Sequence, residues 1–182
     1  MTPDVVVKFW RDAGPKAWFA KSDAFDSQIR DRFEPWHHAA ARRELDGWTA
    51  RAEGSLGLLL LLDQFPRNLF RNSAHAYATD PLARHFAGLA LAAGHDREVE
   101  LGLRNFFYLP FMHSEAMADQ DRAAVLSEGL ARDMDDPGQT KWARLHRDII
   151  VRFGRFPHRN ISLGRETTEI EREFLQSGGF AG

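Results

Sequence analysis

Cysteine is absent from the 182-residue sequence, which excludes disulfide bonds and thiolate-ligated metal sites. The formal net charge is only −2, so the chain has no overall positive field that would attract nucleic acid or an anionic membrane. The longest purely apolar run, Leu58 to Leu62, is far shorter than the roughly 20 residues that a membrane-spanning helix needs. The first residues also lack the basic start and apolar core of a secretory signal. These absences predict a protein of the reducing cytoplasm.

Strand-like alternation of apolar and polar residues is nearly absent, whereas helical spacing recurs along the chain. Asp80-Pro81 opens one helical pattern that Gly94 closes, as expected for an N-cap with a first-turn proline and a C-terminal glycine. After Asp136-Pro137 an apolar stripe from Trp142 to Phe153 ends at Gly154. Thr168 with Glu171 forms a capping box for a last helix. The pattern predicts an all-α protein.

Other helices have less distinct boundaries, and two prolines are expected to interrupt them. Residues 23–33 and 35–45 are predicted as separate helices around Pro35, and a leucine-rich helix is predicted to stop near Gln64, before Pro66. The remaining predicted helices cover residues 3–13, 56–63, 96–108 and 119–134. Short connections favour antiparallel packing of neighbouring helices, and no shift in composition marks a boundary, so we predict one domain over residues 1–182.

Two similar hexapeptides contain many of the candidate site residues. The first, DQFPRN, spans residues 63–68, and the second, RFPHRN, spans residues 155–160. Asp63 follows five leucines, so its carboxylate is expected to be buried and paired with Arg67. This pair either fixes a helix junction or belongs to a site in which Arg67 and Arg159 lie together with His113.

Histidines supply the candidate acid–base groups. His113 and Glu115 are two residues apart, and His146 lies on the apolar stripe, where it is either a hydrogen-bonded core residue or the wall of a pocket. His37 and His38 are expected on an exposed helix surface. No His-Glu-x-x-His, Gly-x-Gly-x-x-Gly or P-loop motif is present, so neither a metal nor a nucleotide cofactor is predicted.

Arginine is concentrated between residues 146 and 165, where five arginines accompany the single acid Asp148. Guanidinium groups suit carboxylates and phosphates, so the pattern suggests an anion site. The alternative is that the arginines pair with Asp63, Glu115 or later acids and only stabilise the fold. Nucleic-acid binding is not expected, because the aromatic residues nearby also fit core packing. The five arginines are Arg147, Arg152, Arg155, Arg159 and Arg165.

Three sequence segments resemble an uncharacterised, mainly bacterial family, domain of unknown function 924. They are LLLLLDQFPRNLFR, FFYLPFMHSE and RFGRFPHRNISLGRETTEIEREFL. The resemblance covers nearly the whole chain and implies an all-helical, TPR-like fold of antiparallel helix pairs. It implies no activity. The family's shared polar positions correspond here to Asp63, Gln64, Arg67, Asn68, His113, Ser114, Glu115, Arg155, His158, Arg159, Asn160 and Arg165.

Three functional hypotheses follow. The leading one is a helical binding module for an anionic carboxylate or phosphate ligand, either a small molecule or a peptide. An enzyme with acid–base groups among His113, Glu115, His146 and His158 is the second, and it requires those groups around an accessible cavity. A structural adaptor is the third, and it would bury the polar groups in mutual pairs. The expected ligand-binding residues are Asp63, Arg67, Asn68, His113, Glu115, Arg155, His158, Arg159, Asn160 and Arg165.

Overall fold

A computed structural model describes residues 2–180, and its regular elements are all helical, with no strand in that range. The all-α prediction is therefore confirmed, while the TPR-like arrangement and the single domain stay predictions. A π-helical segment, Leu60–Gln64, and several short 3₁₀ segments lie between the α-helices. The α-helices are α1 (Pro3–Ala13), α2 (Pro15–Trp18), α3 (Asp23–Ala41), α4 (Ala52–Leu59), α5 (Phe65–Leu69), α6 (Asp80–Ala92), α7 (Leu109–Met112), α8 (Met117–Met134), α9 (Thr140–Phe153) and α10 (Glu169–Gln176).

The chain forms two compact units. The first comprises Met1–Arg71 and His75–Pro110, and the second comprises Asn72–Ala74 and Phe111–Gly182. In the first unit, α4 and the π-helical segment are almost completely buried, as the continuous apolar run predicts. Rings from α1, α3 and α5 pack together within this unit; Phe33 and Phe65, for example, have centroids 5.1 Å apart.

Pro35 does not interrupt its helix, contrary to the sequence-based prediction, because α3 runs continuously from Asp23 to Ala41. Proline removes the N–H that would bond the carbonyl four residues earlier, at Asp31. Pro35 and Asp31 both lie on the exposed side of α3, where water can bond that carbonyl. The helix therefore tolerates the proline without a buried unsatisfied group.

The predicted helix over residues 96–108 is also wrong. The chain instead forms two 3₁₀ segments, His95–Arg97 and Leu101–Phe107. The hydroxyl of Tyr108 donates a hydrogen bond of 2.8 Å to Asp96 Oδ2, and both residues are buried. Twelve residues of α-helix would separate these two positions by roughly 18 Å, so this bond requires a folded-back segment.

The second unit has its core between α8, α9 and the residues that follow α9. Ile149, Ile150 and Phe156 are buried there, with Leu145, Phe153, Phe174 and others packed around them. Gly154 ends α9 at a φ of +69°, as predicted. The capping box of Thr168 and Glu171 begins α10, also as predicted. Trp142 differs from the expected stripe because it is 51% exposed.

Candidate functional site

The predicted site residues are divided between the two units. Asp63, Arg67 and Asn68 belong to the first unit, and the candidates from His113 to Arg165 belong to the second. The site shared by Arg67 and Arg159 therefore stays a prediction. Within each unit the polar side chains form a network.

Asp63 is buried and paired, as predicted. Its side chain is 1% exposed, and Oδ1 lies 3.4 Å from Nη1 of Arg67. The same guanidinium reaches Asp80, whose Oδ2 accepts from Nη2 at 3.1 Å. Burial alone would lower the pKa of Arg67, but the two carboxylates outweigh it and raise the pKa. One partly buried arginine thus holds the carboxylates of Asp63, which precedes α5, and Asp80, which follows it.

The helix does not stop before Pro66, which corrects the predicted break. The chain continues from α4 through the π-helical segment into α5, and the N–H of Phe65 bonds the carbonyl of Leu60. This π-turn releases carbonyl groups from the usual helical pattern. Side chains take up three of them: the carbonyl of Leu61 accepts from His37 Nδ1 at 2.9 Å, that of Leu62 accepts from Thr79 Oγ1 at 2.6 Å, and that of Asp63 accepts from Arg67 Nη1.

His37 is therefore a buried structural residue and not the surface residue that the sequence suggested, with only 4% of it exposed. Burial lowers the pKa of His37, and neighbouring His38 and His75 lower it further, while the Leu61 carbonyl and Glu34 oppose the shift. A neutral ring with its proton on Nδ1 satisfies the Leu61 carbonyl. His37 and Arg67 thus each bond a carbonyl of the π-helical segment.

Asn68 lies in a separate clamp on α3. Its Nδ2 donates to Asp26 Oδ1 at 2.8 Å, and the guanidinium of Arg71 donates to both oxygens of Asp26. Burial would raise the pKa of Asp26, but the bonds from Arg71 and Asn68 outweigh it and lower the pKa. This clamp fixes the end of α5 to α3.

In the second unit, Glu115 organises the residues after α9. Its oxygens accept from Arg165 at 2.8 and 3.0 Å, and Oε1 also accepts from the backbone N–H of Phe156 at 2.8 Å. Burial would raise the pKa of Glu115, but these donors outweigh it and lower the pKa. Glu115 is thus held ionised, with the same guanidinium bonding the carbonyl of Phe156 at 3.0 Å.

Glu171 is a site residue that sequence reasoning identified only as a helix cap. It accepts from Arg155 at 2.6 and 2.8 Å and from Asn160 Nδ2 at 3.2 Å, besides its capping bonds to Thr168. The bonds from Arg155 are the largest influence, and they lower the pKa of Glu171 to about 2. Asn160 Oδ1 in turn accepts from Arg165 at 3.0 Å. The network therefore connects both arginines.

The buried ring of Phe156 is surrounded by titratable and charged side chains. The ring of His146 lies 5.4 Å from it and that of His158 lies 5.6 Å from it, measured between centroids. The guanidinium of Arg159 lies 4.6 Å above the Phe156 centroid. The ring of His113 lies 6.3 Å from that of His146. We call Phe156, His113, His146, His158 and Arg159 the histidine cluster.

Within the histidine cluster, His146 has a defined tautomer. Its Nδ1 donates to the carbonyl of Trp142, 2.8 Å away on the preceding turn of α9. The neutral ring therefore carries its proton on Nδ1 and leaves Nε2 as the acceptor nitrogen. His146 is 7% exposed and Arg159 is 6% exposed. His146 is therefore a hydrogen-bonded core residue, and its role as the wall of a pocket stays a prediction.

Phe180 is the second residue that the sequence did not identify. Its centroid lies 4.7 Å from that of His146 and 5.1 Å from that of His158, with edge-to-face geometry in both pairs. Trp142 lies 6.3 Å from the same ring. Only its position after Ser177-Gly178-Gly179 could have suggested that the chain turns back here.

Other parts of the described chain contribute less to a site. A groove of about 610 Å³ on the first unit contains none of the predicted residues; it is lined by Arg30, Asp31, Glu34, Pro35, His38 and Arg42. In residues 2–180 no three His, Asp or Glu side chains are grouped so that they could hold a metal ion. None of the helices described is long and apolar enough to cross a membrane.

Comparison with known proteins gives a family but no activity. The family described as bacterial protein of unknown function (DUF924) matches residues 6–179. A solved structure of a protein of unknown function from Agrobacterium tumefaciens is 56% identical, superposes with a TM-score of 0.92 and covers 97% of each chain. No curated protein matches the sequence. Since the family match spans nearly the whole chain, the protein belongs to the DUF924 family.

Proposed function

We propose that the protein binds a small anionic ligand, a carboxylate or a phosphate, at the histidine cluster. The observation that carries this proposal is the grouping of His146, His158 and Arg159 around the single ring of Phe156. The guanidinium is charged at every physiological pH, and protonated imidazoles add donors and charge. Charge-assisted hydrogen bonds from such groups are the usual way in which proteins hold carboxylates and phosphates.

Arg155 and Arg165 support this site without binding the ligand themselves. Glu171 holds the first guanidinium and Glu115 holds the second, each through two bonds. Glu115 and Arg165 also bond the N–H and the carbonyl of Phe156, so they fix the backbone of the residue on which the cluster is built. Asn160 connects the two ion pairs. In the first unit, Asp63, Arg67 and Asn68 have the same structural role.

The enzyme alternative is weaker on one specific point. A general acid must carry a proton near the working pH. The hydrogen bonds that Glu115 accepts lower its pKa, so Glu115 does not meet this requirement. Acid–base chemistry would then depend on the histidines alone. The adaptor alternative gains support from the ion pairs of Arg155 and Arg165, but it gives no reason for two histidines and Arg159 to meet at Phe156. A TPR-like array of helices is compatible with both binding and adaptor roles.

Thermal unfolding in phosphate and in chloride at matched ionic strength tests the proposal. A ligand present at ten times its Kd stabilises the folded state by about 1.4 kcal/mol, which raises Tm by about 4 °C in a chain of this size. We expect phosphate to produce such a rise and chloride to produce none. Arg159→Gln should lose the rise, whereas Arg147→Gln should keep it, because Arg147 is an exposed arginine paired with Asp121 in the same unit.

Arg159 is buried, so its variant can fail to fold, and a second measurement uses the unaltered protein. The imidazole signals of His146 and His158 should shift in NMR spectra as phosphate is added at constant pH. Those of His38, which lies half-exposed beside Glu34 in the first unit, should not move. Equal responses to phosphate and chloride would contradict the proposal, and so would an Arg159→Gln variant that responds like the parent.

A further inference from the structure

The histidine cluster contains an aromatic side chain that is supplied by a separate segment. Phe180 follows α10, and its ring packs against the imidazoles of His146 and His158 at interplanar angles of 60° and 85°. Trp142 adds a third aromatic contact at 57°. Edge-to-face arrangements at these centroid distances are the favourable geometry for aromatic pairs. The cluster therefore has a position built for one aromatic ring, and Phe180 occupies it.

Two glycines direct the chain into this position. Gly178 has a φ of +84°, in the region that favours glycine, and the N–H of Gly179 bonds the carbonyl of Phe174 at 2.9 Å. A Cβ on Gly179 would lie 2.5 Å from that carbonyl oxygen and 2.6 Å from the Phe174 ring. The turn thus requires a residue without a side chain, and it places Phe180 against α9.

The covering ring is more accessible than the groups beneath it. Trp142 is 51% exposed and Phe180 is partly exposed, whereas His146 is 7% exposed and Arg159 is 6% exposed. An aromatic ring of a ligand that packs against His146 must therefore displace a neighbouring side chain. Phe180 is the candidate, because it belongs to no helix and is attached through two glycines. Its displacement would leave α9 and the ion pairs of Glu115 and Glu171 intact.

We propose that Phe180 occupies the binding position of an aromatic ring of the ligand, so that the cluster takes a small anion carrying an aryl group. This inference rests on the proposed function and specifies its ligand class. The aryl ring would make the contacts that Phe180 makes with His146 and His158. The anionic group would meet Arg159, whose guanidinium stacks on Phe156 beside the same imidazoles. Phe180 then competes with the ligand and lowers its apparent affinity.

Phenyl phosphate and methyl phosphate test this inference, since both are phosphate monoesters and differ in the aryl ring. We measure the Kd of each for the parent and for Phe180→Ala by calorimetry. Loss of an aromatic contact partner changes affinity by about tenfold, so Phe180→Ala should bind phenyl phosphate about tenfold more tightly. Its affinity for methyl phosphate should change less than twofold. Phe19→Ala is the control, because Phe19 is an exposed ring in the first unit.

The unaltered protein gives a second readout that does not depend on how well the variant folds. Phenyl phosphate should change the fluorescence of Trp142, which contacts Phe180, and methyl phosphate should not. Trp142→Phe should lose this signal, which assigns it among the five tryptophans. Equal gains for both esters, or no gain for either, would overturn the inference. If inorganic phosphate still binds the parent in those cases, the proposed function stands; if no phosphate compound binds, both proposals fail.

Discussion

Glu171 and Arg155 form a two-bond ion pair in which the carboxylate is almost completely buried. Nε of Arg155 donates at 2.6 Å and Nη2 donates at 2.8 Å, while only 3% of Glu171 is exposed. The same carboxylate caps α10 and bonds Asn160, so three segments of the second unit meet at one side chain. An ionised Glu171 is therefore a requirement for this part of the fold.

Acid should weaken the second unit through Glu171. Its folded-state pKa is about 2, below the 4.5 of an unfolded chain, so the unfolded state takes up the proton first. The contribution to stability is complete above about pH 4.5 and disappears as the pH falls towards about 2. Glu171→Gln should cost about 2 kcal/mol at pH 7, the value of hydrogen bonds to a charged group, and less at pH 3.

Urea unfolding of the parent and Glu171→Gln at both pH values measures this difference. Glu173→Gln is the control, because Glu173 is an exposed glutamate on the same helix and its loss should change stability by less than about 0.5 kcal/mol. A Glu171→Gln cost that is equal at pH 7 and pH 3 would show that the carboxylate charge is unimportant.

Asp63→Ala should destabilise the first unit strongly. It removes a buried carboxylate from Arg67 and leaves the partly buried guanidinium with less compensation; breaking a largely buried pair in this way costs about 3 kcal/mol. Asp12→Ala, which removes an exposed carboxylate paired with Lys8, should cost less than about 0.5 kcal/mol. Denaturant unfolding measures both values. An Asp63→Ala cost as small as that of Asp12→Ala would show that the pair contributes little.

Local sequence signals predicted the helices whose ends depend on neighbouring residues. Gly94 and Gly154 both adopt positive φ, at +78° and +69°, where the sequence placed helix ends. The capping box of Thr168 and Glu171 also depends on residues only three apart. The helix break before Pro66 was predicted wrongly. The carbonyl of Leu62, which lacks an N–H from Pro66, is bonded by the hydroxyl of Thr79, thirteen residues after the proline. No local pattern contains that information.

The candidate site also combines contacts between residues close in sequence, which could be predicted, with contacts between distant residues, which could not. Asp63 follows five leucines, so its pairing with the nearby Arg67 followed from the need of a buried carboxylate for a partner. Glu171 lies sixteen residues from Arg155, and its second role could only be seen once α10 was placed. Phe180 was missed for a different reason: a single phenylalanine after two glycines carries no periodic pattern.

Thr79 and Pro66 should show strong coupling in a double-mutant cycle. Proline has no N–H for the carbonyl of Leu62, and the hydroxyl of Thr79 bonds that carbonyl at 2.6 Å instead. Thr79→Val leaves a buried carbonyl unsatisfied and should cost about 2 kcal/mol. In a Pro66→Ala background the new N–H can bond Leu62, so the same change should cost about 1 kcal/mol less. Equal costs in both backgrounds, measured by urea unfolding, would contradict this account of the π-turn.

His37 should make stability fall as the pH drops below neutrality. Burial is the largest influence that lowers its pKa, so the unfolded chain, with a pKa of 6.5, is protonated before the folded protein. The contribution is therefore complete above about pH 6.5 and is lost as the pH falls through the lower folded-state value. The groups that face His37 are His38 and Glu34 on α3 and His75 from the 3₁₀ segment Ala74–Tyr77.

His37→Gln separates the charge of the ring from its hydrogen bond, because the amide can donate to the Leu61 carbonyl without titrating. We expect this variant to lose less stability than the parent between pH 7 and pH 5. His37→Ala should cost about 2 kcal/mol already at pH 7, since the Leu61 carbonyl loses its donor. His85→Gln is the matched control and should follow the parent, because His85 is an exposed histidine on α6 of the same unit. An NMR titration of the His37 ring with a midpoint at or above 6.5 would contradict the prediction, because a ring that protonates as readily in the folded state as in the unfolded chain gives no loss of stability in acid.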